Sequence, residues 1–201
     1  MPVIITEIKQ GTPDWFAACC GNVGASNIDK IVTTKGERSK QRDDYMMTLC
    51  AEKITGQKEA GFTSQAMLTG IEREAEARTL FEMATGCEVS QVGLVFKDES
   101  KLCHCSPDGL IGDNEGVEIK NPLSKTHVKY LLNGALPIEY FCQVQFSLYV
   151  SEREAWWFMS HYPGLRPLIT KVTRNEKWIT KMEVELNAFN DELAEMVERV
   201  R

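Results

Sequence analysis

Hydrophobic positions along this chain recur at two spacings, and the change between them separates helical from stranded regions. Thr12-Pro13-Asp14-Trp15 opens a first helix, with Thr12 placed as its cap and Pro13 in its first turn. Ala25-Ser26 precedes a short helix predicted over Asn27–Val32. A longer one is predicted over Tyr45–Thr55, ending at Gly56, and another over Ser64–Ala84, stopping at Gly86. From Val89 the period shortens. Val89–Phe96, Lys101–Cys105, Gly109–Ile111 and Gly116–Lys120 are bounded by turn residues such as Asp98-Glu99 and Asp113-Asn114, which predicts consecutive strands, the last closed by Pro122. Helices then follow over Lys125–Leu132 and Ile138–Val150, and strands over Ala155–Tyr162 and Leu168–Val172. A final helix carries Trp178, Met182, Leu186, Phe189, Leu193, Met196 and Val200 at steps of three and four, an amphipathic stripe. This order implies an α/β fold with a mixed central sheet flanked by helices.

Length and charge narrow the picture. The 201 residues are enough for one domain, 1–201, with a substantial core. No apolar run reaches a membrane span and the N-terminus lacks signal-peptide features, so a cytoplasmic location is expected. The seven cysteines are odd in number and not spaced as a disulfide framework. Cys103-His104-Cys105 does not suit zinc, because neighbours on a strand point to opposite faces. The net charge of −6 argues against a protein that coats nucleic acid with a broad basic surface. It leaves room for a nuclease whose acidic groups are offset locally by divalent ions. The basic stretch Thr33–Asp44, with Lys35, Arg38, Lys40 and Arg42, reads as a mobile solvated loop or the lead-in to a helix from Asp43, with a phosphate-contacting loop as the alternative.

Candidate chemistry concentrates in Ser106-Pro107-Asp108-Gly109-Leu110 and Gly116-Val117-Glu118-Ile119-Lys120-Asn121-Pro122. Glu118 and Lys120 alternate onto one face of a strand, and a hairpin can bring Asp108 beside Glu118. Two carboxylates in one cleft repel, and a hard divalent cation resolves that repulsion with oxygen ligands, to which the Ile119 carbonyl can add. Such an ion polarises a phosphodiester and activates water, while Lys120 can orient the water or stabilise developing charge. On its own an Asp with Glu-x-Lys is weak, since Pro-Asp-Gly is ordinary turn chemistry. Two further features strengthen it. Glu74 lies in the apolar stripe Met67, Gly70, Ile71, Ala77, Phe81, Ala84, where a carboxylate is costly unless paired or metal-bound. Gln143 and Gln145 are about 200° apart on a helix, so at most one faces the same pocket.

These residues resemble the phage lambda exonuclease family, also described as YqaJ-type viral recombinases, among the PD-(D/E)xK, restriction-endonuclease-like nucleases. The likeness runs almost end to end. It includes Trp15, Gly21 and Ala25-Ser26; Gly70-x-x-x-Glu74-x-x-Ala77-Arg78-Thr79-Leu80-Phe81-Glu82; Asp98-Glu99-Ser100; Cys105-Ser106-Pro107-Asp108-Gly109-Leu110; Glu118-Ile119-Lys120-Asn121-Pro122; and Gln143-Val144-Gln145-Phe146-Ser147. The resemblance implies a 5′→3′ exonuclease on double-stranded DNA that leaves 3′ overhangs for phage-type recombination. It implies a homotrimeric ring enclosing DNA, a single-strand annealing protein as partner, and phage or prophage origin. Asp108, Glu118 and the Ile119 carbonyl would bind one or two Mg²⁺ ions, with Mn²⁺ as a substitute, and Lys120 would position the attacking water. Glu74 would support Lys120 or a second metal, and Gln143 would assist in the same pocket. Ser26 and Ser106 match serines that contact the terminal 5′-phosphate, and Met67 a wedge against the terminal base pair. One position departs from the family pattern. Four residues after Trp15, where the family carries an arginine for the 5′-phosphate, stands Cys19. A thiol cannot replace the charged, bidentate guanidinium. Either Lys30, Lys35 or Arg38 takes over, or dependence on the 5′-phosphate weakens. A related iron–sulfur nuclease is disfavoured because no cysteine follows Cys142. Alternatives are an endonuclease of the same fold and a catalytically silent DNA-end-binding module.

Overall fold

The computed structural model describes the backbone of residues 1–58 and 65–201, and the side chains of residues 1–58 and 72–201. Its centre is the helix Phe141–Ser151, in which Cys142 and every residue from Val144 to Ser151 are buried. A helix apolar on all sides has to sit inside other layers. This one packs against both groups of strands, against the helix Glu176–Val200 and against the 3-10 turn Ala25–Lys30.

Two four-stranded mixed sheets surround it. In chain order the strands are β1 (Val3–Ile5), β2 (Val23–Gly24), β3 (Leu94–Phe96), β4 (Cys103–Cys105), β5 (Gly109–Ile111), β6 (Glu115–Lys120), β7 (Ala155–Ser160) and β8 (Leu168–Thr173). The helices are α1 (Pro13–Cys19), α2 (Arg42–Thr55), α3 (Gln65–Thr85), α4 (Ser124–Asn133), α5 (Phe141–Ser151) and α6 (Glu176–Val200). One sheet runs β1-β3-β4-β2 and the other β5-β6-β7-β8. β6 and β7 are parallel, joined by a crossover that contains α4 and α5, whereas β5 and β8 pair antiparallel on the outside. The helix-flanked mixed α/β class expected from the sequence is the one observed.

Local chemistry explains most boundaries. Thr12 caps α1 by accepting from the Trp15 N–H at 3.4 Å, and Asn175 caps α6 by accepting from the Trp178 N–H at 3.1 Å. α2 ends on Gly56 in the left-handed conformation. The stripe on α6 buries Trp178, Met182, Leu186, Phe189 and Leu193, with Phe189 stacked on Tyr45 of α2 at 5.9 Å. Val200, counted in that stripe, is exposed as the helix runs past the core.

Three expectations need correction. The run Val89–Phe96 is one strand only from Leu94, because Ser90 bridges to Leu110 of the second sheet while Leu94–Phe96 pair with β1 in the first. Gly93 sits at the crossing, where a Cβ would fall 1.9 Å from the Ile8 carbonyl oxygen, so only glycine fits. The helix expected over Asn27–Val32 is a 3-10 turn over Ala25–Lys30, since Val32 leaves it to bridge Arg38. Of the readings of the basic stretch, the lead-in to a helix holds, since α2 starts at Arg42, and the free solvated loop does not. Arg42 is 2% exposed, pairs with Glu192 of α6 at 2.5 Å and lies over the Phe189 ring, and Arg38 pairs with Glu185 at 3.0 Å.

Candidate active site

The β5–β6 hairpin sets the centre of the site. Gly109 pairs with Val117, so one step back the register places Asp108 opposite Glu118. Residues directly opposite in an antiparallel pair share a face. Asp108 Oδ2 accepts a hydrogen bond from the Ile119 N–H at 2.5 Å. N–H and C=O of one strand residue point to the same edge, so the Ile119 carbonyl faces this side of β6 as well.

Glu118 is almost fully buried and its Oε1 takes two donors: Lys120 Nζ at 2.5 Å and Gln143 Nε2 at 2.7 Å. The Lys120 ammonium also lies 5.3 Å over the Tyr140 ring. Burial pushes the Asp108 carboxyl well above the ordinary carboxylate range, the negative charge of Glu118 adds to that push and Glu74 adds further, against the opposing pull of Lys120. Burial opposes the charge on Lys120, but Glu118 and Asp108 outweigh it and hold the ammonium above the usual lysine range. Lys120 is therefore a fixed cation and donor here, not a proton acceptor.

The oxygens of Asp108, Glu118 and the Ile119 carbonyl form a donor set suited to a hard cation, and the repulsion between the carboxylates is what such a cation relieves. Among the described residues no three His, Cys, Asp or Glu side chains form a closed metal cage. Water and substrate oxygens would complete the shell, as Mg²⁺ favours.

The other expected residues fall as follows. Glu74 is half-buried near Asp108, but its partner is Arg78 at 2.5 Å, not Lys120. The i,i+4 spacing on α3 satisfies it locally. Gln143 reaches Glu118, whereas Gln145 donates to the Thr173 carbonyl and accepts from the Asn175 N–H, a buried glutamine satisfied by backbone. Ser26 and Ser106 both line a cavity of about 390 Å³ that opens onto Glu118 and Gln143. The Met67 side chain lies outside the described residues. Cys103 and Cys105 are buried in the main core while His104 faces that cavity from the opposite side of β4, which disposes of the zinc arrangement.

Two residues escaped the sequence reading. Tyr140 stands three before Gln143 and so shares its side of the chain, a spacing that could have singled it out. Lys58 had no local signal: it follows the Gly56 stop and reaches the cavity only because α1 carries Trp15 to it.

His104 allows a test of this packing. It is buried, its Nδ1 has no hydrogen-bond partner among the described residues, and burial with the nearby charge of Lys58 lowers its pKa from 6.5 to about 3. The folded chain keeps it neutral, whereas the unfolded chain takes up a proton below about pH 6.5. Its stabilising contribution is thus complete above that pH and declines as pH falls toward 3, by ~2 kcal/mol at pH 5. Between pH 7 and pH 5 the urea midpoint should fall further in the wild type than in His104→Asn. Equal drops in both proteins would contradict the buried neutral imidazole.

Two facing carboxylates and a cationic lysine thus meet at the end of a hairpin within a helix-flanked α/β fold, an arrangement suited to phosphodiester hydrolysis. The chain belongs to the YqaJ-like viral recombinase domain family, which it matches over residues 14–154. It is similar to an alkaline exonuclease (LHK-Exo) from Laribacter hongkongensis, with 32% identity and a TM-score of 0.85 over 94% of this chain and 96% of that one. LHK-Exo is also known in complex with dAMP, with the same degree of likeness. A phage-related exonuclease from Haemophilus somnus 129PT shares the fold, with 12% identity and a TM-score of 0.71 over 90% of this chain and 96% of that one. No curated protein sequence matches. Family and relatives together make a DNA exonuclease role the functional class of this chain.

Proposed function

We propose that the chain acts as a single nuclease domain, a Mg²⁺-dependent 5′→3′ exonuclease on double-stranded DNA that leaves 3′ overhangs for recombination. The observation that carries this reading is the register that sets Asp108 opposite Glu118, with Lys120 and Gln143 both on Glu118 Oε1. Asp108, Glu118 and the Ile119 carbonyl would hold the ion, with Mn²⁺ as a substitute and room for a second ion left open by half-buried Glu74. When bound, the ion supplies Lewis-acid polarisation of the phosphodiester and of the attacking water. Lys120, held as a cation, donates to that water or to a phosphoryl oxygen as negative charge develops. Tyr140 fixes the ammonium from below and Gln143 fixes the carboxylate, so neither has to reorganise during in-line attack. The dAMP complex of the 32% identical LHK-Exo supports a nucleoside monophosphate as released product.

The reading extends to assembly and setting. Val128 and Leu132 are exposed on one face of α4, an apolar surface in keeping with a homotrimeric ring. A single-strand annealing protein is the expected partner for the overhang. No helix among the described residues is long and apolar enough to cross a membrane, which accords with action in the cytoplasm of a bacterial host on behalf of a phage or prophage.

The deciding experiment uses linear duplexes labelled at either end, beside closed circular duplex, in Mg²⁺. Mononucleotides released from the 5′ end of linear DNA, with circles intact, are expected. Cut circles would favour an endonuclease, and binding without release a silent end-binding module.

A further inference from the structure

Three carboxylates gather at the cleavage centre, Asp108, Glu118 and Glu74, and the last of them brings its own cation. Ala77 and Phe81 of α3 pack with Val117 and Ile119 of β6. Val117 and Ile119 alternate with Glu118 and Lys120 along the strand, so α3 covers the face opposite to theirs. Glu74, three residues before Ala77, therefore approaches from the α3 side, and its negative charge reaches Asp108. Gln143, by contrast, comes to Glu118 from α5.

The cation is Arg78, one helical turn after Glu74, whose Nη2 donates to Glu74 Oε1 at 2.5 Å. On an exposed helix surface an i,i+4 pair is a weak contact. This one is sheltered. The Arg78 side chain is 13% exposed, against 32% for Glu74, and its Nε is buried with no hydrogen-bond partner among the described residues. A guanidinium so placed depends on Glu74, and releasing the carboxylate would strand a mostly buried charge. Arg73, the residue before Glu74, is engaged elsewhere, with its guanidinium 5.2 Å over the Tyr162 ring. A divalent ion drawn by Asp108 and Glu118 would draw on Glu74 as well, yet Arg78 already holds that carboxylate. Arg78 also offsets part of the negative charge that attracts the ion, as Lys120 does from the other face.

We infer that Arg78 is a positioning residue of the cleavage centre that acts through Glu74: it holds this carboxylate against the pull of a divalent ion and so limits how tightly the ion binds before DNA arrives. The inference rests on the metal-dependent reading of the site; the choice of residue rests on the sheltered pair. An ion held loosely by the protein completes its shell with oxygens of the phosphodiester. Binding energy then falls where hydrolysis uses it, not in the resting protein.

The test titrates the protein with Mn²⁺ in a calorimeter, without DNA, so that no hydrolysis enters the readout. Arg78→Met should bind Mn²⁺ on the order of 10-fold more tightly than the wild type, as removal of one competing charge-assisted contact would give. Arg78→Gln, which keeps a donor but no charge, should gain less, and Arg78→Lys should stay near the wild type. In a Glu74→Gln background the change at residue 78 should have no effect, because the carboxylate through which Arg78 acts is gone. A purely structural role would loosen the site and weaken Mn²⁺ binding whatever stands at residue 74. Equal or weaker binding in both Arg78→Met and Arg78→Gln, or a gain that persists beside Glu74→Gln, would overturn the inference and leave the metal-dependent reading intact. Absence of Mn²⁺ binding in the wild type and in every variant would overturn both.

Discussion

Asp108→Asn and Lys120→Ala should each lower DNA hydrolysis by roughly 10³-fold or more, because each removes a charge from the place where the phosphoryl group reacts. The two should differ in stability. Asparagine keeps an oxygen to accept from the Ile119 N–H while relieving the repulsion with Glu118, so Asp108→Asn should unfold at the same urea concentration as the wild type or a higher one. Among the described residues Lys120→Ala leaves the buried Glu118 with Gln143 as its one remaining side-chain donor, so it should be less stable. EDTA should produce the same loss of activity in the wild type, reversed by added Mg²⁺, and Mg²⁺ should restore neither variant. Digestion at wild-type rate by either variant, or by the wild type in EDTA, would remove these residues and the metal from the mechanism. Comparing kcat with the urea midpoint in one set of proteins separates lost chemistry from lost fold.

Gly116→Ala should damage stability and activity together. Gly116 pairs with Trp156 across the parallel β6–β7 register, and a Cβ there would lie 2.4 Å from the nearest carbon of the indole ring. Trp156 is fully buried and has no room to move aside. The strand must shift instead, and overpacking of this kind costs ~1–3 kcal/mol. β6 also carries Glu118 and Lys120, whereas their partner Gln143 is on α5. A displaced strand therefore misaligns the site, and a shift of about 1 Å can lower the rate by roughly 10²-fold. Trp156→Phe added to Gly116→Ala should recover much of both losses. The clashing carbons lie on the outer ring of the fused indole, whose far edge extends beyond the reach of a single phenyl ring, and the buried indole N–H has no hydrogen-bond partner among the described residues to lose. A single variant as stable and active as the wild type would show that the strand pair tolerates the extra methyl.

The residues of the site were readable to different degrees, for physical reasons. Glu118 and Lys120 are two apart on a strand, and period-two alternation alone puts them on one face. Helical geometry separated Gln143 from Gln145 before their partners were known, and the structure gives Glu118 to one and backbone groups to the other. The inward position of Glu74 was visible as a carboxylate in an apolar stripe. Its partner was not: the resemblance offered Lys120 or a second metal, and the structure pairs it with Arg78 four residues on. The run Val89–Phe96 was uniform in composition, and nothing local marked the point where it passes from one sheet to the other. The backbone contact of Gly93 with Ile8 decides that, across a long separation in sequence.

By itself the sequence determined the α/β layout and the grouping of the candidate cleavage residues. Asp108, Glu118 and Lys120 lie within one hairpin, and strand periodicity with a short turn leaves little freedom in how they meet. Tertiary structure alone decided the cavity beside them. Trp15, Ser26, Lys58, Ser106 and Gln143 come from separate segments, and they converge only when α1, α2 and α5 pack around β4 and the 3-10 turn. No local spacing encodes that convergence, because it depends on which apolar faces bury each other. The uncharged Cys19 was therefore plain from the sequence, whereas the place of Lys58 over Trp15 in the cavity appeared only in the fold.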